Sequence, residues 1–252
     1  YGMCRQIFIR SLKRGCPRQS STLGWEAEKR SGMDYSELMI FIMEIIGTIA
    51  FASSGAMLAV QKEMDLFGVC VLGVTTAVGG GLIRDLILGV IPPGMFRRPV
   101  YTLVAVTVCV LLFFLLYVKR NLWKGRFGIA YDKVMLIFDA VGLGIFTVVG
   151  INTAWNVGYS QRFLLVFVGV ITGVGGGLIR DMMAEVKPYI LTKHIYACAS
   201  IAGAVVCVLS RQRLGQLGAM VTGAAVVILI RFLAAHYRWN LPRIPLEQSE
   251  DR

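Results

Sequence analysis

Two stretches of the chain are near-copies of each other: residues 76–85 read TAVGGGLIRD, and residues 172–181 read TGVGGGLIRD. Nine of the ten positions are identical at an offset of 96 residues, which chance does not plausibly produce. The match continues beyond these stretches, because Pro92 aligns with Pro188 at the same offset. The chain therefore contains an internal duplication, and its fold has to be understood as two related halves.

Composition places these halves in a membrane. Hydrophobic residues make up 56% of the 252 residues, and charged residues make up 16%, against roughly 25% in an ordinary soluble domain. A membrane-spanning helix needs about 20 apolar residues, and seven segments reach or approach that length: about 37–61, 67–88, 100–118, 133–155, 163–184, 193–210 and 216–235. We therefore predict an all-α integral membrane protein with seven transmembrane helices.

The seven predicted spans divide as three, three and one. Residues 33–118 form the first three-helix repeat, 119–132 a basic loop, 133–210 the second repeat and 211–235 the seventh helix. Because three is an odd number, the second repeat enters the membrane from the opposite side, and the halves form an inverted repeat. Such folds bind their substrates near the midplane between the repeats, so we expect the permeation pathway there.

The termini are polar, with a basic segment at 1–32 and a tail at 236–252. We expect the first segment not to be native, because Met33 directly precedes the first apolar run; the alternative is a disordered basic arm.

Near the helix ends, the membrane side that holds residue 33 (side A) has seven Lys and Arg, and the opposite side (side B) has eleven. The positive-inside rule then favours a cytoplasmic side B, with the N-terminus outside and the C-terminus inside. The net charge of +11 is mainly a topology signal, and no nucleic acid partner is expected.

Three consecutive glycines lie in the second span of each repeat: Gly79, Gly80, Gly81 and Gly175, Gly176, Gly177. A glycine in a helix interior costs about 1 kcal/mol relative to alanine. We predict a break or kink of the helix at each triplet, because a break frees backbone groups that can bind a permeant ion in a water-lined cavity. The alternative is close helix packing by small residues.

Four charged residues follow the glycines inside these apolar segments: Arg84, Asp85, Arg180 and Asp181. Most other Lys and Arg are expected at helix ends. A charge at membrane depth costs roughly 2.5–3.5 kcal/mol on insertion scales, so these groups should face the bundle interior or a pore. Adjacent helix residues point about 100° apart; the twofold axis therefore predicts cross-pairs, with Arg84 near Asp181 and Arg180 near Asp85. The charges either tie the halves together or line or gate the pathway, and the two roles are compatible.

A second pair of acids, Glu44 and Asp139, aligns at an offset of 95 residues. Acids along a pathway raise the local cation concentration and can relay protons. The alternative for Asp139 is a first-turn acid that the helix dipole stabilises. That alternative is weaker for Glu44, about eight residues into its span. We predict that both acids belong to the pathway or to the contact between the repeats.

The sequence offers no support for catalysis. It contains no phosphate-binding loop, no HExxH and no nucleophile–base arrangement. The six cysteines form no CxxC pair, and His194 and His236 lack the spacing of metal ligands. We therefore expect no catalytic residue, no metal and no cofactor.

The duplicated GGGLIRD with its following prolines resembles the bacterial members of the trimeric intracellular cation (TRIC) channel family, also described as a glycine-transporter domain that occurs twice. The resemblance covers about residues 33–235. It implies two inverted three-helix repeats plus a seventh helix, kinks at the glycine triplets, and a homotrimer with one pore in each protomer. It also implies potassium-selective conduction of monovalent cations across a bacterial inner membrane. Eukaryotic members carry a lysine-containing motif in place of part of this pattern and respond to calcium and acidic lipid, so those properties stay unassigned here.

Three functions remain open at this point. The first is a channel for monovalent cations. The second is a secondary transporter of glycine or a similar small amino acid, because some bacterial relatives are linked to glycine uptake and the start of a half-helix could hold a carboxylate. The third is a structural membrane protein whose glycines only pack helices.

Overall fold

The computed structural model describes residues 35–118, 127–188 and 195–237. The regular elements in these ranges are α-helices: α1 Tyr35–Gln61, α2 Leu66–Ile87, α3 Gly94–Arg97, α4 Val100–Val118, α5 Phe127–Val157, α6 Arg162–Met183 and α7 Ile195–His236. The chain divides into two compact units, residues 1–38 and 39–252, and the contacts below lie within the second. The predicted segment 1–32, much of the basic loop and most of the tail lie outside the described residues.

Six helices are long and apolar enough to cross a membrane: α1, α2, α4, α5 from Lys133 onward, α6 and α7. Helix α7 has 42 residues and contains Gly215 with φ 70° and ψ −175°, which divides it into two spans, 195–214 (α7a) and 216–236 (α7b). Glycine adopts this left-handed φ without the steric penalty of a Cβ. The two spans pack against each other, since a Cβ on Gly203 would lie 2.7 Å from the Gly223 carbonyl oxygen. The described residues therefore provide the seven predicted spans.

The two repeats meet where α2 crosses α6. A Cβ on Gly80 would overlap the carbonyl oxygen of Thr172, and a Cβ on Gly176 would overlap that of Thr76. The two threonines are equivalent in the duplication, so the contact is reciprocal. A reciprocal contact is what a twofold axis between two equivalent surfaces requires. The inverted repeat predicted from the sequence is thus seen in the packing of its two middle helices.

An aromatic pair fills the core beside this crossing. Phe51 of α1 and Phe146 of α5 are equivalent residues at an offset of 95, and their ring centroids lie 5.2 Å apart. Both rings are buried. The core between the repeats is therefore apolar around the glycine contact.

The glycine triplets do not break their helices, so the predicted break is wrong, whereas the predicted kink stays a prediction. Helices α2 and α6 continue without interruption through 79–81 and 175–177. Among the described glycines, positive φ occurs at Gly89, Gly158 and Gly215. The physical reason is packing, because residues without side chains let the two backbones approach closely, and this contact outweighs their low helix propensity. The close-packing alternative describes the observed helices.

Candidate functional site

A buried cluster of charges closes the side B end of the bundle, where α6 ends, α7a begins and α7b ends. We call it the second-repeat cluster: Asp139, Arg180, Asp181, Tyr196 and Arg231. Asp139 Oδ1 lies 2.9 Å from Arg180 Nη1, and Asp139 Oδ2 lies 3.1 Å from Arg231 Nη2. Arg180 Nη2 lies 2.8 Å from Asp181 Oδ1. Two guanidinium groups and two carboxylates thus balance formally, as buried charges require.

Tyrosine completes this cluster. The hydroxyl of Tyr196 donates a hydrogen bond of 3.3 Å to Asp139 Oδ1, and Arg231 lies over the Tyr196 ring, 4.6 Å from its centroid. A Cβ on Gly177 would lie 2.7 Å from the Tyr196 hydroxyl oxygen and 3.7 Å from Asp139 Oδ1. The last glycine of the triplet therefore leaves the space that the tyrosine occupies.

A hydrogen bond of Arg180 joins this cluster to the first repeat. Arg180 Nη1, already paired with Asp139, also donates to Ser54 Oγ of α1. Arg180 and Ser54 are both 0% exposed. A desolvated, charge-assisted hydrogen bond of this kind is about twice as strong as a neutral one. The second-repeat cluster is therefore also a contact between the two halves.

Two pairs of side chains lie at the side A end, where α2 ends and α4 begins: Arg84 with Asp85, and Glu44 with Tyr101. We call these four residues together the first-repeat cluster. Arg84 Nε donates to Asp85 Oδ1 at 2.8 Å, and the backbone N–H of Gly94 donates to Asp85 Oδ2 at 2.6 Å. Tyr101 donates its hydroxyl proton to Glu44 Oε2. Asp85 is buried, whereas Glu44 is half-buried, so this end of the bundle is more open than the other.

The two clusters share a duplicated tyrosine–carboxylate pair. Tyr101 and Tyr196 align at an offset of 95 residues, as Glu44 and Asp139 do. Each tyrosine donates to the acid of its own repeat. Sequence reasoning missed both tyrosines, although extending the alignment at the same offset reveals them. The acids predicted at equivalent positions thus have equivalent partners.

Both cross-pairs predicted from the twofold axis are wrong. Each arginine pairs instead with the next residue, Arg84 with Asp85 and Arg180 with Asp181. Inverted repeats send the ends of α2 and α6 toward opposite sides of the membrane. From the crossing at Gly80, four residues of helix to Arg84 cover about 6 Å in one direction, and the equivalent residues cover the same distance in the other.

Sequence reasoning also missed the role of one arginine. Arg231 was expected among the helix-end residues on side B and lies there, but it is 3% exposed and ion-paired with Asp139. It lies in α7b, outside the duplication, so the repeat gives no signal for it. Ser54 was missed for a similar reason, since Val149 occupies the equivalent position of the second repeat.

The chain matches a family model described as "Glycine transporter" twice, over residues 41–117 and 136–212. It is 38% identical over 214 residues to the UPF0126 inner membrane protein YadS of Escherichia coli (strain K12). The alignment covers 84% of this chain and 99% of that relative. It is 36% identical over 207 residues to a UPF0126 membrane protein of Deinococcus radiodurans, covering 81% of this chain and 92% of the relative. The two matched ranges agree with the duplication found in the sequence.

Solved structures of high similarity are cation channels. One, from work on conductance through TRIC cation channels, has 34% identity and a TM-score of 0.70 and covers 86% of this chain and 100% of that one. The TRIC trimeric intracellular cation channel orthologue from Rhodobacter sphaeroides has 32% identity and a TM-score of 0.71. The alignment covers 80% of this chain and 99% of that one. A prokaryotic TRIC channel in 0.5 M KCl has 31% identity and a TM-score of 0.73. The alignment covers 81% of this chain and 99% of that one. The similarity therefore spans the membrane-embedded part of the chain.

Proposed function

The chain belongs to the glycine transporter family, and from this premise we propose that it is a membrane channel for monovalent cations, with potassium as its main permeant ion. The observation that carries the proposal is the likeness to TRIC cation channels, at 34% identity over 86% of the chain. Those neighbours are channels and not enzymes, which agrees with the lack of catalytic motifs in the sequence.

The proposed pathway runs between the two inverted repeats of each protomer. It leads from the first-repeat cluster at side A, past the crossing of α2 and α6, to the second-repeat cluster at side B. Glu44 and Asp139 lie at equivalent positions near its two ends. Carboxylates that line a pathway favour cations over anions. The glycine triplets mark the point where the helices of the two repeats cross with no side chain between them.

In this proposal, the pathway is closed at side B in the conformation of the structure. Every charged side chain of the second-repeat cluster is at most 3% exposed, which leaves no hydrated route through it. Conduction then requires Arg180 to separate from Asp139 or from Ser54, so that water and cations reach the carboxylate. Arg180 and Asp139 act as gating charges, and Arg84 and Asp85 hold the wider mouth at side A.

We extend the proposal to assembly and location. The protein forms a homotrimer with one pathway in each protomer, as the description of the Rhodobacter sphaeroides channel as trimeric suggests. It lies in a bacterial inner membrane, like the Escherichia coli relative, with the N-terminus outside and the C-terminus in the cytoplasm. Helix α4 supports the assembly, because only Ala105 and Cys109 of its 19 residues are buried within one protomer.

Reconstitution of the purified protein into planar bilayers tests the channel. Unitary current steps should appear, and their reversal potential should follow an imposed potassium gradient. Folded protein that never conducts at any voltage would overturn the proposal.

The family description keeps a transporter of glycine as the second candidate. The uninterrupted α2 and α6 weaken it, because they provide no midspan half-helix end to hold a carboxylate. Uptake of labelled glycine into the same proteoliposomes separates the two functions. Saturable glycine uptake without unitary currents would replace the channel with the transporter.

A further inference from the structure

The two acids at equivalent positions of the repeats have different electrostatic surroundings. Asp139 receives two guanidinium groups, Arg180 at 2.9 Å and Arg231 at 3.1 Å. Within the described parts of the chain, Glu44 forms no ion pair, and its side-chain partner is the uncharged Tyr101. Both acids therefore accept a hydrogen bond from a tyrosine, but only Asp139 is ion-paired with arginines among the described residues.

The seventh span is the source of this difference. Arg231 belongs to α7b, which has no counterpart in the first repeat. Helix α7b packs on α5, since a Cβ on Gly144 would lie 3.0 Å from the Ala224 carbonyl oxygen. Ile49 takes the place of Gly144 in the first repeat and is 38% exposed, so no helix in the described part of the protomer covers it in the same way. Within that part, no arginine forms an ion pair with Glu44 as Arg231 does with Asp139.

The arginines of the two repeats differ as well. The Arg180 side chain is 0% exposed and contacts Asp139, Asp181 and Ser54. The Arg84 side chain is 13% exposed and is ion-paired only with Asp85 among the described residues. Among the described residues, the first-repeat cluster thus has one arginine, which contacts Asp85 and not Glu44. In the second-repeat cluster, ion pairs join two arginines and two carboxylates.

Exposed basic residues do not remove the difference. Arg97 and Arg98 are exposed at side A, and Lys187 is exposed at side B. Arg98 lies within hydrogen-bonding reach of the Tyr101 hydroxyl, and so next to Glu44. Water and salt screen such charges far more than charges inside the protein. The carboxylate at side A therefore has a weaker counter-charge than Asp139 has from the buried Arg180 and Arg231.

From these contacts we infer that the channel rectifies: it passes more cation current from side A to side B than in the reverse direction, and Arg231 is the residue that makes its two mouths unequal. The inference rests on the proposed channel function. A carboxylate whose neighbouring cation is exposed and screened raises the cation concentration at the mouth where it lies. Cations that enter through side A start from this enriched pool, whereas cations that enter through side B meet a neutral cluster.

Single-channel current–voltage curves in identical KCl solutions on both sides test the inference without any substitution. Rectification is read from each channel separately, so random insertion does not cancel it. We expect a current ratio of roughly 1.5 or more between opposite voltages at about 0.1 M salt, where the Debye length is about 10 Å, and a ratio near 1 at about 1 M, where it is about 3 Å. Equal currents at both voltages in low salt would overturn the inference and leave the channel proposal standing. Complete absence of current would instead count against the channel.

Substitutions then identify the residues. Glu44→Gln removes the carboxylate charge at side A, and Arg231→Gln frees a carboxylate at side B, so each should make the low-salt current more symmetric. Arg231→Lys keeps the charge and should keep the rectification, which guards against a merely structural effect of losing the arginine. Arg213→Gln is the matched control, because Arg213 is an exposed cation at side A outside both clusters. Unchanged rectification in both Glu44→Gln and Arg231→Gln would contradict the assignment.

Discussion

Arg180 of the second repeat donates a hydrogen bond to Ser54 of the first, and both side chains are fully buried. Since Val149 replaces the serine in the other repeat, Arg84 has no equivalent serine contact among the described residues. The hydrogen bond to Ser54 holds the guanidinium group of Arg180 against α1 while Asp139 and Asp181 hold it from α5 and α6. The closed end of the proposed pathway is therefore tied to both repeats by one arginine.

We predict that Ser54→Ala loosens this end. The substitution removes one acceptor from a buried cation, which costs about 1–3 kcal/mol, and it should raise the open probability because the closed cluster loses a contact. Thermal unfolding in detergent and single-channel recording measure the two effects. Ser53→Ala is the matched control, since Ser53 is buried beside it but makes no hydrogen bond to Arg180 among the described contacts. An open probability equal to that of the parent protein would contradict the gating role of the contact.

The glycine triplets make a second prediction, because their members differ in available space. A Cβ on Gly80 would overlap the Thr172 carbonyl oxygen, whereas a Cβ on Gly81 would meet nothing closer than the Arg84 Nη2, at 3.7 Å. Gly80→Ala should therefore destabilise the protein by about 2 kcal/mol or more, because backbone must move. Gly81→Ala should be neutral or stabilise the protein by up to about 1 kcal/mol through helix propensity. Thermal unfolding of the two variants decides the matter, and equal melting temperatures would argue against a close contact of α2 and α6.

Sequence reasoning succeeds here where the information lies along the chain. Apolar segments and the duplicated GGGLIRD predict the spans and their inverted arrangement, since both depend on residue order alone. The break at the glycines could not be predicted correctly, because continuity of α2 depends on the packing of Gly80 against Thr172, a contact made across the fold. Helix propensity is a weak guide wherever the stabilisation from tertiary packing outweighs the propensity cost of the residue.

The candidate site divides in the same way. Glu44 and Asp139 follow from the repeat, and their tyrosines could have followed from it too. Arg231 could not be predicted in this way, since it lies outside the duplication and has no equivalent residue in the other repeat. The cross-pairs failed because a twofold axis in the membrane plane exchanges the two sides of the membrane, so equivalent charges move apart and do not meet.

Topology provides a third prediction. With seven spans the two termini lie on opposite sides, and we expect the C-terminus in the cytoplasm. A reporter that is active only in the cytoplasm, fused after Arg252, should be active, and the same reporter fused ahead of residue 35 should be inactive. Activity at both ends would contradict an odd number of spans, and activity only at the N-terminal end would reverse the orientation.

The equivalent acids should differ in their effect on stability. Asp139→Asn leaves two buried arginines short of a carboxylate, and loss of one partner from a buried ion pair costs about 3–5 kcal/mol. Glu44→Gln should cost less than about 1 kcal/mol, because Glu44 is half-buried and has no ion-pair partner among the described residues. Thermal unfolding measures both, and the ratio of the two losses is independent of the channel assay.

A double-mutant cycle completes this last prediction. Asp139→Asn combined with Arg231→Gln should lose less stability than the sum of the two single losses, with a coupling of about 0.5–3 kcal/mol, because the pair is in direct contact. Arg84→Gln combined with Asp181→Asn should give additive losses, since these residues lie at opposite ends of the bundle. Coupling in the second cycle but not in the first would mean that the repeats are paired across the axis, and the clusters described here would be wrong.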